Sequence, residues 1–182
     1  MKKLIKFIIF ILLIAVLFNA SQFLLKKIYP MTYSQNIYKC AEEYNLDPYL
    51  VAAVIKTESN FNPKAVSCKN AYGLMQITAN TGQWIAEQMQ LKDFEIEKLY
   101  EPEYNIHMGC WYLNNLKKEF NNNMDLVLAA YNGGRGNVQK WLNDYNHSKD
   151  GKNLHYIPFK ETDKYVKKVK VNYKVYRFLY NK

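Results

Sequence analysis

Residues 4–25 read LIKFIIFILLIAVLFNASQFLL, broken by one charge, at Lys6. A helix of roughly 20 such residues is long enough to span a bilayer. Lys2 and Lys3 also precede the unbroken run, a charge bias that keeps the N-terminus in the cytoplasm and sends the rest across. A cleaved signal peptide is the rival reading, with residues 7–18 as its apolar region and Ala20 as its end. Phe18 then sits where a small residue is wanted, and Asn19-Ala20-Ser21 makes a poor cleavage site. No lipobox cysteine is present. The expectation is an uncleaved, single-pass anchor with a short juxtamembrane linker over 1–30, and a domain outside the cytoplasm over 31–182. The secreted form expected from cleavage would leave that domain on the same side.

The net charge of +9 divides accordingly. Residues 1–30 hold five lysines and no acid, leaving 20 basic and 16 acidic residues for the domain, an excess concentrated from Lys160 onward. So small an excess is no nucleic-acid footprint. It suits contact with an anionic wall or membrane surface, or simply a solvated helix face. The 16 tyrosines exceed phenylalanine and tryptophan together, a bias that suits a wet groove for polar ligands, although helix packing accounts for most of them. Cys40, Cys68 and Cys110 form no CxxC and have no histidine at ligand spacing, so no metal or cofactor is implied. Buried free thiols are expected for all three, with one disulfide open to an extracytoplasmic domain.

Helical spacing dominates the domain. Ile37, Ala41 and Tyr44 mark a helix over 34–45. Asp47-Pro48 is a helix start, a capping side chain followed by proline in the first turn. The helix runs to about Ser59 and carries Leu50, Val51, Val54, Ile55 and Glu58 on one broad side. Further helices are expected over 81–89, 102–120, 125–131, 137–144 and 161–180, with a glycine turn at Gly133, Gly134 and Gly136. No period-2 strand stands out. The fold class is mainly α, with at most a minor hairpin in the loop after Pro63.

Glu58 ends a mostly apolar helix. A carboxyl against apolar surface has its charged form disfavoured, and the partial negative charge of a helix C-terminus pushes the same way. A carboxyl still protonated near neutrality can donate to a leaving oxygen. Taken alone, it reads better as a solvated helix-end glutamate, since most such glutamates are structural. Gly73-Leu74-Met75-Gln76-Ile77 places a glutamine between apolar neighbours, and Ala129-Ala130-Tyr131-Asn132-Gly133-Gly134 brings two polar side chains to a helix end. Each pattern alone is commonly structural.

In order they are far more specific. ESNFNPKAVS (58–67), AYGLMQITANTG (71–82), EYNIHMGCWYL (103–113), LAAYNGGRGNV (128–138) and IPFKETDKYVKKV (157–169) resemble the catalytic domain of soluble lytic transglycosylases, over about residues 33–180. The resemblance implies a goose-type-lysozyme-like helical fold and cleavage of peptidoglycan glycan strands. It implies that Glu58 is the single acid and base. Ser67 would lie near the substrate N-acetyl group, Met75 and Gln76 beside the scissile bond, and Tyr131 and Asn132 along the site, with the tyrosine hydroxyl near the carboxylate. Glu161 would support substrate without acting as a nucleophile. Two positions depart from the family pattern: Ala79 stands where proline is usual, and Gly133-Gly134 where Ala-Gly is usual. The implied product is a 1,6-anhydromuramic end. A hydrolytic lysozyme on the same fold and a non-catalytic wall-binding protein are the alternatives. Wall turnover, septum splitting and service to a cell-envelope secretion or conjugation machinery all look alike at this level.

Overall fold

The computed structural model describes residues 2–181. The first helix, α1 (Lys2–Ile28), has no buried residue and is long and apolar enough to cross a membrane. After it come α2 (Ser34–Glu43), α3 (Pro48–Glu58), the two-residue strands β1 (Ala71–Tyr72) and β2 (Ile77–Thr78), and α4 (Ala79–Gln88). A 3-10 helix (Ile96–Tyr100), α5 (Pro102–Glu119), α6 (Met124–Gly133), α7 (Arg135–Leu142) and α8 (Lys160–Tyr180) complete the chain.

Helix α3 is the hub. Residues 50–55 are buried all round, the pattern of a helix enclosed by others rather than one with a single apolar face. Its start is fixed by the Asp47 side chain, which accepts the Tyr49 N–H at 2.8 Å, and by Pro48 in the first turn. Asp47 also accepts the Tyr173 hydroxyl at 2.6 Å, and Asn172 donates to the Thr57 hydroxyl at 2.9 Å. These two bonds register α8 along α3, its principal packing partner. With its start and its neighbour set, the end of α3 at Glu58 is set too.

The strands pair antiparallel, Ala71 opposite Thr78 and Tyr72 opposite Ile77. They are the minor hairpin that the sequence allows. The four-residue connection needs glycine at 73: φ is +74°, and a β-carbon there would lie 2.1 Å from the Leu99 carbonyl oxygen. A second small core, of Ile77, Ile85, Ala86, Leu99 and Met108, seats the hairpin and α4 against α5.

Several boundaries differ from the sequence reading. Helix α4 begins at Ala79 because Thr78 caps it, accepting the Thr81 N–H. Ala79 is thus the first helical position, where a proline would also be tolerated. The 3-10 helix was not anticipated, since five residues carry too short a period. Of the three glycines expected to form a turn, Gly134 (φ +87°) alone makes the break, while Gly136 lies inside α7. The cysteine expectation is corrected at one position. Cys40 and Cys110 are buried free thiols, but Cys68 is exposed, on the surface turn between Ser67 and Asn70.

Candidate active site

Residues 73–76 are held by three helices at once. Ser59, just past the end of α3, donates its hydroxyl to the Leu74 carbonyl at 2.8 Å. Tyr131 of α6 donates to the Met75 carbonyl at 2.8 Å. Asn105 of α5, wholly buried, accepts the Met75 N–H at 2.7 Å and donates to the carbonyls of Leu99 and Tyr72. Buried backbone groups without partners are costly, so this lattice fixes the connection in one conformation.

That conformation brings Gln76 beside Glu58. The Gln76 amide donates to the carbonyls of Ala65 (3.2 Å) and Gly73 (3.0 Å), leaving its oxygen as the group able to accept from a ligand. Gln76 lies where two cavities meet. One, of about 510 Å³, is lined by Glu58, Ser59, Ser67, Gln76, Lys168 and Tyr29, among others. The other, of about 290 Å³, is lined by Gln76, Tyr112, Tyr131, Asn132 and Gly134, among others. Together they form a groove passing Gln76. A larger cavity, of about 630 Å³ beside Asp125 and His155, shares no residue with either.

Glu58 is enclosed by protein on most sides and keeps an opening to the first cavity. Burial pushes its carboxyl up to about 7; the Tyr165 hydroxyl and the Lys168 ammonium pull the other way, and Glu161 adds a small upward push. Tyr165 is buried against Glu58 without completing a bond of good geometry to any group. Among the residues lining this cavity, Glu58 is the sole carboxylic acid. Among the described residues no cluster of histidine, cysteine, aspartate and glutamate could hold a metal ion.

The structure therefore brings Glu58, Ser67 and Gln76 to one cavity and Gln76, Tyr131 and Asn132 to the next. Ser67 turns its oxygen to the backbone N–H groups of Ala71 and Lys69 (3.1 and 3.3 Å), shaping the cavity rim. Asn132 accepts the Thr162 hydroxyl at 2.8 Å. The glycine that replaces the family's usual alanine follows directly: a β-carbon on Gly133 would lie 2.9 Å from the same hydroxyl oxygen. Met75 lies beneath the groove rather than in it. Its side chain is wholly buried against Gly109, and it reaches the site through its carbonyl. Glu161 is exposed, paired with Lys69 at 2.9 Å, outside the lining of either cavity. Tyr165, Lys168, Asn105 and Tyr29 escaped the sequence reading. The sequence places Tyr165 only within a helix over 161–180, and nothing local sets its hydroxyl apart.

Residues 35–154 match the family model described as the transglycosylase SLT domain. The chain belongs to the SLT domain family. It is 33% identical over 147 residues to the soluble lytic murein transglycosylase of Salmonella typhimurium, covering 80% of this chain and 23% of that protein. It is 36% identical over 109 residues to the membrane-bound lytic murein transglycosylase C of Pectobacterium atrosepticum, covering 55% and 30%. In structure it is similar to the lytic transglycosylase Slt of Pseudomonas aeruginosa, solved as an inactive glutamate-to-glutamine variant. The TM-score there is 0.76 at 30% identity, covering 86% of this chain and 26% of that one. This likeness bears out the lysozyme-like, mainly helical SLT fold expected from the resemblance. The chain spans about a quarter of the length of the soluble transglycosylases it matches.

Proposed function

We propose that this SLT domain is a lytic transglycosylase. It cleaves the β-1,4 bond between N-acetylmuramic acid and N-acetylglucosamine in peptidoglycan and leaves a 1,6-anhydromuramic end. The observation that carries the reading is a single carboxyl, raised to about 7 by burial, alone among the acids lining an open cavity. Glycosidases that hydrolyse or retain with two carboxylates place them on both sides of the bond, roughly 5–10 Å apart. One carboxyl suffices where the sugar supplies its own nucleophile. Glu58 gives its proton to the glycosidic oxygen as the C1–O bond breaks. The C6 hydroxyl of the same muramic ring then attacks C1, and its proton returns to the Glu58 carboxylate. No water is consumed, and Glu58 ends as it began. A carboxyl near 7 serves both halves, since both protonation states are populated at neutral pH. The Tyr165 hydroxyl and Lys168 steady the charged state between them. Gln76, Ser67, Tyr131 and Asn132 shape the groove for the strand, and Glu161, paired with Lys69 outside its lining, supports the strand without a reacting role.

In the same reading α1 crosses the membrane once. Lys2, Lys3 and Lys6 hold its start in the cytoplasm, and the SLT domain faces the wall from the outer side. The partners are glycan strands and the bilayer, and no cofactor enters the chemistry. The test is mass spectrometry of the products released from purified peptidoglycan by the full chain in detergent. Ends lighter by one water than reducing ends support ring closure. Reducing ends indicate lysozyme-type hydrolysis, and no release indicates a binding protein.

A further inference from the structure

The cavity that holds Glu58 is walled in part by Tyr29, the first residue after α1. The junction there is not a loose tether. Lys56 of α3 donates to the Ile28 carbonyl. The Tyr180 hydroxyl donates to the Tyr29 carbonyl at 2.7 Å, and the Tyr176 hydroxyl to the Pro30 carbonyl at 2.9 Å, both from α8. Three consecutive carbonyls are thus held by the domain. The Tyr29 ring stands edge-on to Tyr176 with centroids 5.6 Å apart, and the Lys56 ammonium lies 5.3 Å from its centroid. Lys26, in the last turn of α1, lies over the Tyr180 ring at 5.3 Å. The end of the anchor helix and the wall of the groove are therefore one packed unit.

That unit fixes a height. The 22 residues from Leu4 to Leu25 extend about 33 Å at about 1.5 Å each, close to the roughly 30 Å of a bilayer's hydrocarbon core. Lys26 and Lys27 then fall at the level of the lipid headgroups. Tyr29 follows only about 6 Å beyond Leu25 by the same rise. A glycan entering the Glu58 cavity past Tyr29 consequently runs close to the membrane face. Charge favours a particular strand there. Lys56 and Lys168 line the cavity, and Lys26 and Lys27 lie in the last turn of α1 just before Tyr29, so an anionic lipid-phosphate end meets cations on its way in.

Resting on the lytic activity proposed above, we propose that the preferred substrate is glycan still tethered to a lipid carrier in the same membrane, with Tyr29 positioning it against the anchor. Glycan in finished, distant wall layers lies beyond the reach that this rigid junction allows.

The experiment reconstitutes the full chain in vesicles. One substrate is uncrosslinked glycan polymerised in the same bilayer from lipid-linked disaccharide-peptide, and the other is the same glycan released into solution. With the groove held at a fixed height by the docked junction, tethered strands are expected to be cut about tenfold faster or more, a gain beyond the confinement that a loosely anchored domain would share. A flexible Gly-Ser insertion between Lys27 and Ile28 leaves the docked segment intact but frees the height. It is expected to abolish most of that preference while leaving the rate on soluble strands unchanged. Tyr29→Ala is expected to raise KM for tethered strands with kcat kept, and Tyr29→Phe, which retains the ring, to restore it. Equal rates on the two substrates, or a preference that survives the insertion, would overturn the proposal alone. Cleavage of neither would overturn the lytic reading and this proposal with it.

Discussion

Two sets of carboxylates in this molecule live under opposite rules. Along the seam between α2 and α5, acids meet bases in water. Lys39 pairs with Glu103 at 3.0 Å, and Glu43 with His107 at 3.0 Å. Hydrogen bonds from His107 and Tyr44 hold the Glu43 carboxyl below the usual carboxylate range. At the end of α3, Glu58 has no base in contact and sits where burial opposes its charge. The seam satisfies its charges. The end of α3 leaves a charge unsatisfied, the condition a proton donor near neutral pH requires. The contrast shows that the site is marked less by having a carboxyl than by burying it more than its partners offset.

The sharpest way to break that contrast is to neutralise each side. Glu58→Gln is expected to cut product release by about 10³-fold or more, the scale of a lost acid and base, as followed by mass spectrometry. Glu43→Gln on the seam should leave release unchanged, and comparable losses from both would erase the distinction. Next in size is the lattice under the groove. Asn105→Ala strips partners from the Met75 N–H and from two carbonyls. At about 1–3 kcal/mol for a buried group left unsatisfied, a loss of about 3 kcal/mol in denaturant unfolding is expected.

The third test reads the buried charge as stability. The folded carboxyl of Glu58 titrates near 7, above its unfolded value, so the folded state holds more protons between those two points. Its contribution is therefore best below the unfolded value and deteriorates as pH rises to about 7. Glu58→Gln removes that penalty. At about 1.4 kcal/mol per tenfold shift in ionisation, discounted for the opening to solvent, it should gain on the order of 2 kcal/mol at pH 8 and nothing at pH 4. No gain in thermal unfolding at pH 8 would mean that the carboxyl is not held against its charge.

Tyr165→Phe is subtler. Losing a hydroxyl that favours the charged form should lift the Glu58 carboxyl further. The alkaline limb of kcat/KM should move to higher pH, because the carboxyl then keeps its proton further up the scale. An unmoved limb would remove Tyr165 from the site. The smallest effect belongs to the seam: Lys39→Ala breaks an exposed pair and should leave the melting temperature unchanged.

Much of this was legible in the chain itself, for reasons that differ by element. Asp47-Pro48 announced α3 because capping and a first-turn proline are local chemistry, and helical spacing over 161–180 announced the last helix. Glu58 was legible as a helix-end acid but gained its meaning only from the ordered blocks around it. Tyr165 was not legible, because its hydroxyl matters through α8 packing on α3, across more than a hundred residues of chain. Met75 looked like a groove residue because the main-chain carbonyl that reaches the site and the side chain that fills the core share one letter. Tyr29 was assigned to a linker because nothing local shows that the carbonyls of residues 28–30 are received by Lys56, Tyr176 and Tyr180.

Those three bonds also define a path for force. With α1 in the bilayer as proposed above, any pull between wall and membrane enters this domain at Ile28. It arrives on three adjacent carbonyls held by side chains of α3 and α8. Two of the three bonds hand the load to the far turns of α8, away from the turn that faces Glu58. The domain can strain at its mooring while the carboxyl at the end of α3 keeps its place.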